Sequence, residues 1–304
     1  MSAGHRRLLR ARGIPCSRWR KSRLIVSGVW AQCLHGAETC QVPFSVLKRL
    51  RTQAGRVASL AKPGVSPWLA CPVGATQTVD PAFCLLLQRI RLFRLMWRDF
   101  PQARRRMQRG LVSLRCGNGG VSYLLARQLR SLEWLPVGLE VQDDLGRSFH
   151  LVETPLKAVR RVLESSWMDQ VARNVSHRKS CGQVGKLDLG LSRTWMKYPL
   201  AEQSLLLVQC TGVTYTHNCL SHAVGLEVSR ACPLCGMDAS RLHRAKFCEA
   251  VADLRAPFLA SLGVRDLPEH TWAYGLWDEP SALHGWQADL RSGLAFGGRV
   301  VRRQ

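Results

Sequence analysis

Cys232, Cys235, His243 and Cys248 follow one another as C-x2-C-x7-H-x4-C, and this spacing constrains the fold of the chain more than any other feature. Two thiolates separated by two residues reach one ion only where the backbone makes a tight turn. Gly236, directly after the second Cys, supplies the φ freedom for that turn. His243 and Cys248 lie five positions apart, and a continuous α-helix would rotate them about 140° away from each other. The helix must therefore loosen before Cys248 or begin after His243. Three thiolates and one imidazole suit Zn2+ better than Mg2+ or Ca2+, which take oxygen ligands. With all four positions supplied by protein, none is left for a catalytic water, so the expected zinc is structural. The alternative is a set of ordinary buried thiols in a chain that holds 12 Cys. Gly236 and the flanking Arg241, Arg244 and Lys246 favour the metal. Structural zinc brings about 10–16 kcal/mol of apparent binding energy, comparable to the stability of a whole domain. Residues 228–250 are therefore expected to be disordered without it.

The 304 residues allow two modest domains, and 46% apolar content is enough for a core. Lys and Arg number 44 against 21 Asp and Glu, a net charge of +23, and such an excess implies a polyanionic partner, RNA or DNA by default. No apolar run reaches membrane-spanning length, so a membrane partner is not expected. A chain this long needs no disulfide staples, which favours a reducing compartment, nuclear or cytoplasmic. From Met1 to Val79 the only acid is Glu38. That stretch reads as a flexible basic arm; an Arg-rich mitochondrial presequence, or a short signal h-region over Leu24 to Leu34, are the competing readings.

The expected class is mainly α with a small β-hairpin (α+β), with a zinc-stabilised lobe near the C-terminus. Four regions follow: a basic, poorly ordered arm over 1–79, a helical region over 80–198, a helical zinc-binding region over 199–290 and a basic tail over 291–304. Asp80-Pro81 opens a helix whose Phe83, Leu86, Ile90, Phe93, Trp97 and Phe100 recur at helical spacing until Pro101 stops it. Arg91, Arg94 and Arg98 share another face, and Arg104, Arg105, Arg106 and Arg109 extend the charge. The face is either phosphate-binding or simply solvated. Residues 138–142 and 147–152 flank Asp143-Asp144-Leu145-Gly146 as a hairpin. Thr154-Pro155 caps a helix carrying Leu156, Val159, Leu163, Trp167 and Val171 and fading near Asn174. Further helices are expected from Pro199 to near Gly212, from Tyr215 to Val224, and around Val251 to Leu262, the last bent by Pro257 and closed by Gly263. The aromatics Trp272, Tyr274, Trp277 and Trp286 either stack bases or, preferably, pack on the zinc region.

Catalytic signatures are weak. Asp143-Asp144 is the only pair of adjacent aspartates, yet a polymerase palm needs a further Asp on an upstream strand, and upstream only Asp80 and Asp99 occur. The pair is read as a turn. No Lys follows Lys246, as an endonuclease would need. His217, Cys219 and His222 lack a third orienting group, and Gly117-Asn118-Gly119-Gly120 lacks the Lys-Ser/Thr ending of a phosphate loop.

The segments Ser165-Ser-Trp-Met-Asp-Gln, Asn174-Val-Ser-His-Arg-Lys, Leu189-Gly-Leu-Ser-Arg-Thr-Trp and Pro199-Leu-Ala-Glu-Gln-Ser-Leu-Leu, followed by the two halves of the zinc motif, resemble the region after the polymerase domain in non-LTR retrotransposon (LINE-type) polyproteins. The resemblance covers residues 80–290 and is strongest from Ser165 to Trp277. It implies that Cys232, Cys235, His243 and Cys248 hold zinc. It also implies that Arg241, Arg244 and Lys246 contact nucleic acid, and that the polymerase part of such a polyprotein is a partner. Fingers, palm, endonuclease and ribonuclease H acids are missing, so the chain resembles a C-terminal piece detached from its polymerase. The expected function is nucleic-acid binding without a catalytic centre; the alternatives are a zinc-stabilised protein-interaction scaffold and a remnant enzyme.

Overall fold

The computed structural model describes residues 3–58, 66–72, 78–113, 120–176, 229, 231–240 and 242–274. It is mainly helical with one three-stranded antiparallel sheet, and the chain divides into two compact units. One comprises Met1–Leu60 and Ala75–Gln170, the other Ala61–Gly74 and Val171–Gln304.

The start of the first unit differs from the expected arm. Residues 3–58 are ordered into α1 (Ala3–Gly13), α2 (Arg18–Arg23), a π-helical stretch Leu24–Val29, α3 (Trp30–Cys33) and α4 (Phe44–Ala58). Leu8 and Ala11, three apart on α1, are buried, as are Ile25, Val29, Trp30 and Leu34. The stretch that could pass for a signal h-region is thus a helix with a core face. Trp30 lies fully buried and donates its indole N–H to the Val79 carbonyl at 2.9 Å. Dense Arg on the outer faces hides this apolar face from a reading by composition. The cations also find partners without acids: buried Lys21 donates to the Arg12 carbonyl at 3.0 Å.

Asp80 joins α4 to α6 (Pro81–Asp99). Its carboxylate caps α6 by accepting from the Ala82 and Phe83 N–H groups at 2.9 and 3.4 Å, and Pro81 takes the first helical position, where no N–H is needed. The same carboxylate receives the Arg51 guanidinium of α4, with both side chains almost wholly buried. Along α6, Phe83, Leu86, Ile90 and Phe93 are fully buried. The stripe ends sooner than its spacing suggests, since Trp97 is half-buried and Phe100 is exposed. Buried Arg89 donates to the Cys40 carbonyl at 2.8 Å and the Gln128 amide oxygen at 2.7 Å, tying α6 to the turn before α4 and to α8 (Val121–Arg130). Between them, α7 (Arg104–Val112) crosses α8 at Gly110, where a Cβ would come within 2.9 Å of Ser122 Cβ.

The hairpin is present as β2 (Glu140–Gln142) and β3 (Ser148–His150), paired with Val141 opposite Phe149. A further strand, β1 (Leu135–Val137), pairs with β2 and carries Pro136, which weakens its signal in sequence. Asp143 shapes the turn by accepting from the Leu145 and Arg147 N–H groups at 3.0 and 2.8 Å, and Gly146 takes φ +78°. After the sheet, α9 (Leu156–Ser176) buries Val159, Leu163, Trp167 and Val171.

In the second unit, the described residues include the end of α9, the short α5 (Pro67–Ala70) and a lobe over 231–274 containing α10 (Ala252–Leu262) and α11 (Glu269–Tyr274). Gly263 in the left-handed region closes α10 despite Pro257 within it. The helices expected from Pro199 and from Tyr215, and the tail over 291–304, lie outside the described residues.

Asp80→Ala removes the carboxylate from the buried Arg51 guanidinium and uncaps α6. We expect a loss of about 3–5 kcal/mol, read as a lower urea midpoint, with Asp99→Ala at the exposed far end of α6 nearly neutral.

Candidate metal centre

The first two candidate donors sit on a tight knuckle. Ala231 and Asp238 bridge antiparallel, the Gly236 N–H donates to the Cys232 carbonyl at 2.8 Å, and Gly236 has φ +76°. A Cβ there would meet nothing, so backbone conformation rather than space calls for glycine. The Ser240 hydroxyl accepts the His243 N–H at 3.0 Å and starts the second segment.

The second segment solves the five-residue problem by loosening. Residues His243–Phe247 form a π turn, and the Cys248 N–H donates to the His243 carbonyl at 2.7 Å, an i→i+5 bond. Cys248 itself leaves the helix, with φ −69° and ψ 115°. Imidazole and thiol therefore converge instead of diverging.

All four donor atoms lie within 4.8 Å of one another. Cys248 Sγ is 3.9 Å from Cys232 Sγ and 3.8 Å from Cys235 Sγ, while Cys235 Sγ is 3.1 Å from His243 Nε2. A tetrahedral ion with sulfur at about 2.3 Å requires S···S edges of about 3.8 Å, so the sulfur spacings fit a shared centre. Cys232, His243 and Cys248 are buried and Cys235 is half-buried. Burial and hydrogen bonding with Cys235 push the Cys248 thiol up to about 11. Burial acts the same way on Cys232, but the Leu234 and Cys235 backbone N–H groups, with the neighbouring thiols, bring it below its ordinary value. The two thiols are thus shifted in opposite directions, and a divalent metal among them would supply the positive charge that thiolate ligands need. The donor set can hold a metal ion, and its closed four-protein shell has the character of a structural site.

Around the donors, Cys232, Ala239, Cys248, Val251, Phe258, Leu267 and Trp272 form one small core. Phe258 meets Trp272 edge-on at 5.8 Å, and the Trp272 indole donates to Asp266 at 2.8 Å. Trp272 therefore packs on the metal lobe, whereas Trp277 and Trp286 lie outside the described residues. Arg255 donates to the Cys248 carbonyl at 3.2 Å. Neither Arg255 nor Asp266 is marked by the motif, because folding alone brings them to it; Ser240, three residues before His243, carries the spacing of a helix cap.

The basic residues divide. Lys246 pairs with Asp266 at 2.6 Å and is mostly covered. Arg241 lies outside the described residues, as does the side chain of Arg244. Arg94 donates to the Leu151 and Thr154 carbonyls, both at 2.7 Å. Arg104 donates to the Trp97 carbonyl at 2.8 Å and lies over its ring. Exposed Arg98 pairs with Asp99. Arg91, Arg105, Arg106 and Arg109 are exposed. The carboxylates of the adjacent pair both serve the fold: Asp143 receives the Arg147 guanidinium at 2.7 Å, and Asp144 receives the Ser166 hydroxyl and, at 3.3 Å, the Trp134 indole. His217, Cys219, His222 and Gly117 to Gly119 lie outside the described residues.

Purified protein is expected to carry one tightly held zinc per chain by elemental analysis, with cobalt substitution giving the absorption of a tetrahedral thiolate site. Cys235→Ser should lose it, and Cys33→Ser should not. Chelation should raise amide exchange over 231–248 and leave α6 protected. No protein-family model, curated protein or solved structure matches the chain, so the reading of the centre rests on its own donor geometry.

Proposed function

We propose that the chain is a nucleic-acid-binding zinc protein of the kind found after the polymerase in non-LTR retrotransposon polyproteins, with no catalytic centre of its own. Zinc rigidifies a small lobe, and exposed arginines on the helical unit supply contacts to phosphate. The observation that carries this reading is the closed Cys3His donor set in a chain of net charge +23. A four-protein shell leaves no position for metal-assisted chemistry, and the charge calls for a polyanion.

Within the helical unit, α7 has the right construction. Met107 and Leu111, four apart, are buried, while Arg105, Arg106 and Arg109 are exposed. Arg109 is three and four positions from the other two, so the three guanidiniums share a face. Arg94 and Arg104 contribute differently: their guanidiniums hold backbone carbonyls, and their first role is to the fold. The polymerase part of the same type of element is the natural protein partner for such a module.

Affinity for a labelled RNA or DNA should fall steeply with salt. Replacing Arg105, Arg106 and Arg109 together by Glu should weaken binding for every sequence tested. It should also flatten the log–log salt dependence by about one unit for each phosphate that is no longer neutralised. Arg94→Ala should lower the melting temperature more than it lowers affinity. Binding that ignores both salt and the triple substitution would favour the scaffold reading.

A further inference from the structure

Phe247 is 53% exposed, although the metal lobe has an apolar core of its own and the neighbouring Leu242 and Ala245 pack against that core. The knuckle behaves likewise, with Met237 65% and Leu234 36% exposed. Both segments that supply metal ligands thus leave an apolar side chain in solvent.

His243 and Cys248, the two donors of its segment, bracket Phe247's π turn, and Cys248 is the very next residue. Phe247 thus lies where the donors converge, with its ring in solvent. Lys246 Nζ lies over the ring at 5.5 Å and is anchored by Asp266 at 2.6 Å. One face of the ring carries a fixed cation, and the exposed remainder is open to a second flat group.

We propose that Phe247 is a platform for an unpaired nucleobase, so that the metal lobe selects single-stranded over duplex nucleic acid. This rests on the nucleic-acid reading above. A base within a duplex already stacks on its neighbours and offers its face to no side chain; an unpaired base offers both faces. A rigid ring loses little entropy on stacking, and the Lys246 ammonium, held by Asp266, braces one face of it rather than meeting phosphate.

The test uses the full chain and three fluorescent ligands: a single-stranded 12-nucleotide RNA, the same strand with abasic positions, and its duplex. Wild type should bind the intact strand best and lose about ten-fold on the abasic strand, which keeps its charge but not its stacking faces. Phe247→Ala, with zinc content verified, should lose about ten-fold on the intact strand and almost nothing on the abasic strand or duplex; Phe247→Trp should restore the loss. An unchanged affinity of Phe247→Ala for the intact strand, or equal losses on all three ligands, overturns the platform while salt-dependent binding keeps the broader reading. Absence of salt-dependent binding to any ligand overturns both. Should Phe247→Ala lose its metal, the wild-type comparison decides: equal affinity for intact and abasic strands sinks the proposal.

Discussion

A guanidinium withdrawn from water has to be matched by oxygen, and with 44 Lys and Arg against 21 Asp and Glu this chain cannot match its cations with carboxylates alone. One carboxylate is placed where it does most: Asp80 caps α6 and holds Arg51 in the core. For several other arginines the partner is mostly the backbone. Arg89 reaches the carbonyl of Cys40, Arg94 those of Leu151 and Thr154, and Arg104 that of Trp97. Arg130 takes those of Leu111 and Val112 at the end of α7. Carbonyls at helix ends and turns lack intrahelical donors, so each contact satisfies two groups that would otherwise be costly to bury. Such charge-assisted bonds are worth about 1.5–3 kcal/mol each, enough for a few of them to decide whether a domain of ordinary stability folds.

The metal lobe meets a different shortage. Its buried core, from Cys232 to Trp272, is a handful of side chains, two of them ligand cysteines. The apolar burial of these described side chains alone gains little against the entropy of ordering their backbone. A metal ion held by the Cys3His donor set would change that balance, because its binding energy would become folding energy. The π turn at His243–Phe247 is the backbone cost of that solution: a less common hydrogen-bond pattern, accepted because it points His243 and Cys248 at one centre.

Much of this was legible in the sequence, and the reasons differ by element. The four donors were readable because ligand spacing is a local property, and even the loosening before Cys248 followed from helical geometry. The α6 stripe and the β2–β3 turn were readable for the same reason, each signal lying within a few residues. The N-terminal helices were not: Leu8, Ala11, Ile25 and Trp30 are buried by packing between segments distant in sequence, and the surrounding arginines carry the compositional signature of an arm. Strand β1 was hidden because its three residues, Leu-Pro-Val, are apolar throughout, although only Pro136 is buried. The division of the arginines was hidden too, since which of them meets a carbonyl depends on tertiary placement. Arg94 and Arg98 fall on one helical face, yet one holds two carbonyls and the other is exposed beside Asp99.

Satisfying arginines with carbonyls has an electrostatic consequence that satisfying them with carboxylates would not. A carboxylate cancels the charge it binds; a carbonyl is a dipole and leaves the full unit in place. Burial pulls Arg89 and Arg94 below their ordinary pKa, but guanidinium remains ionised in proteins, so these structural residues still add to the positive field around the molecule. On the nucleic-acid reading, the fold and the long-range attraction of a polyanion then draw on the same residues. On that reading the exposed arginines of α7 would make the direct contacts, and the carbonyl-bound ones would help to set the field that brings the ligand to them. Replacing an inward arginine by an apolar residue of similar size would therefore remove charge as well as a brace, whereas an acid introduced beside it would keep the brace and cancel the charge.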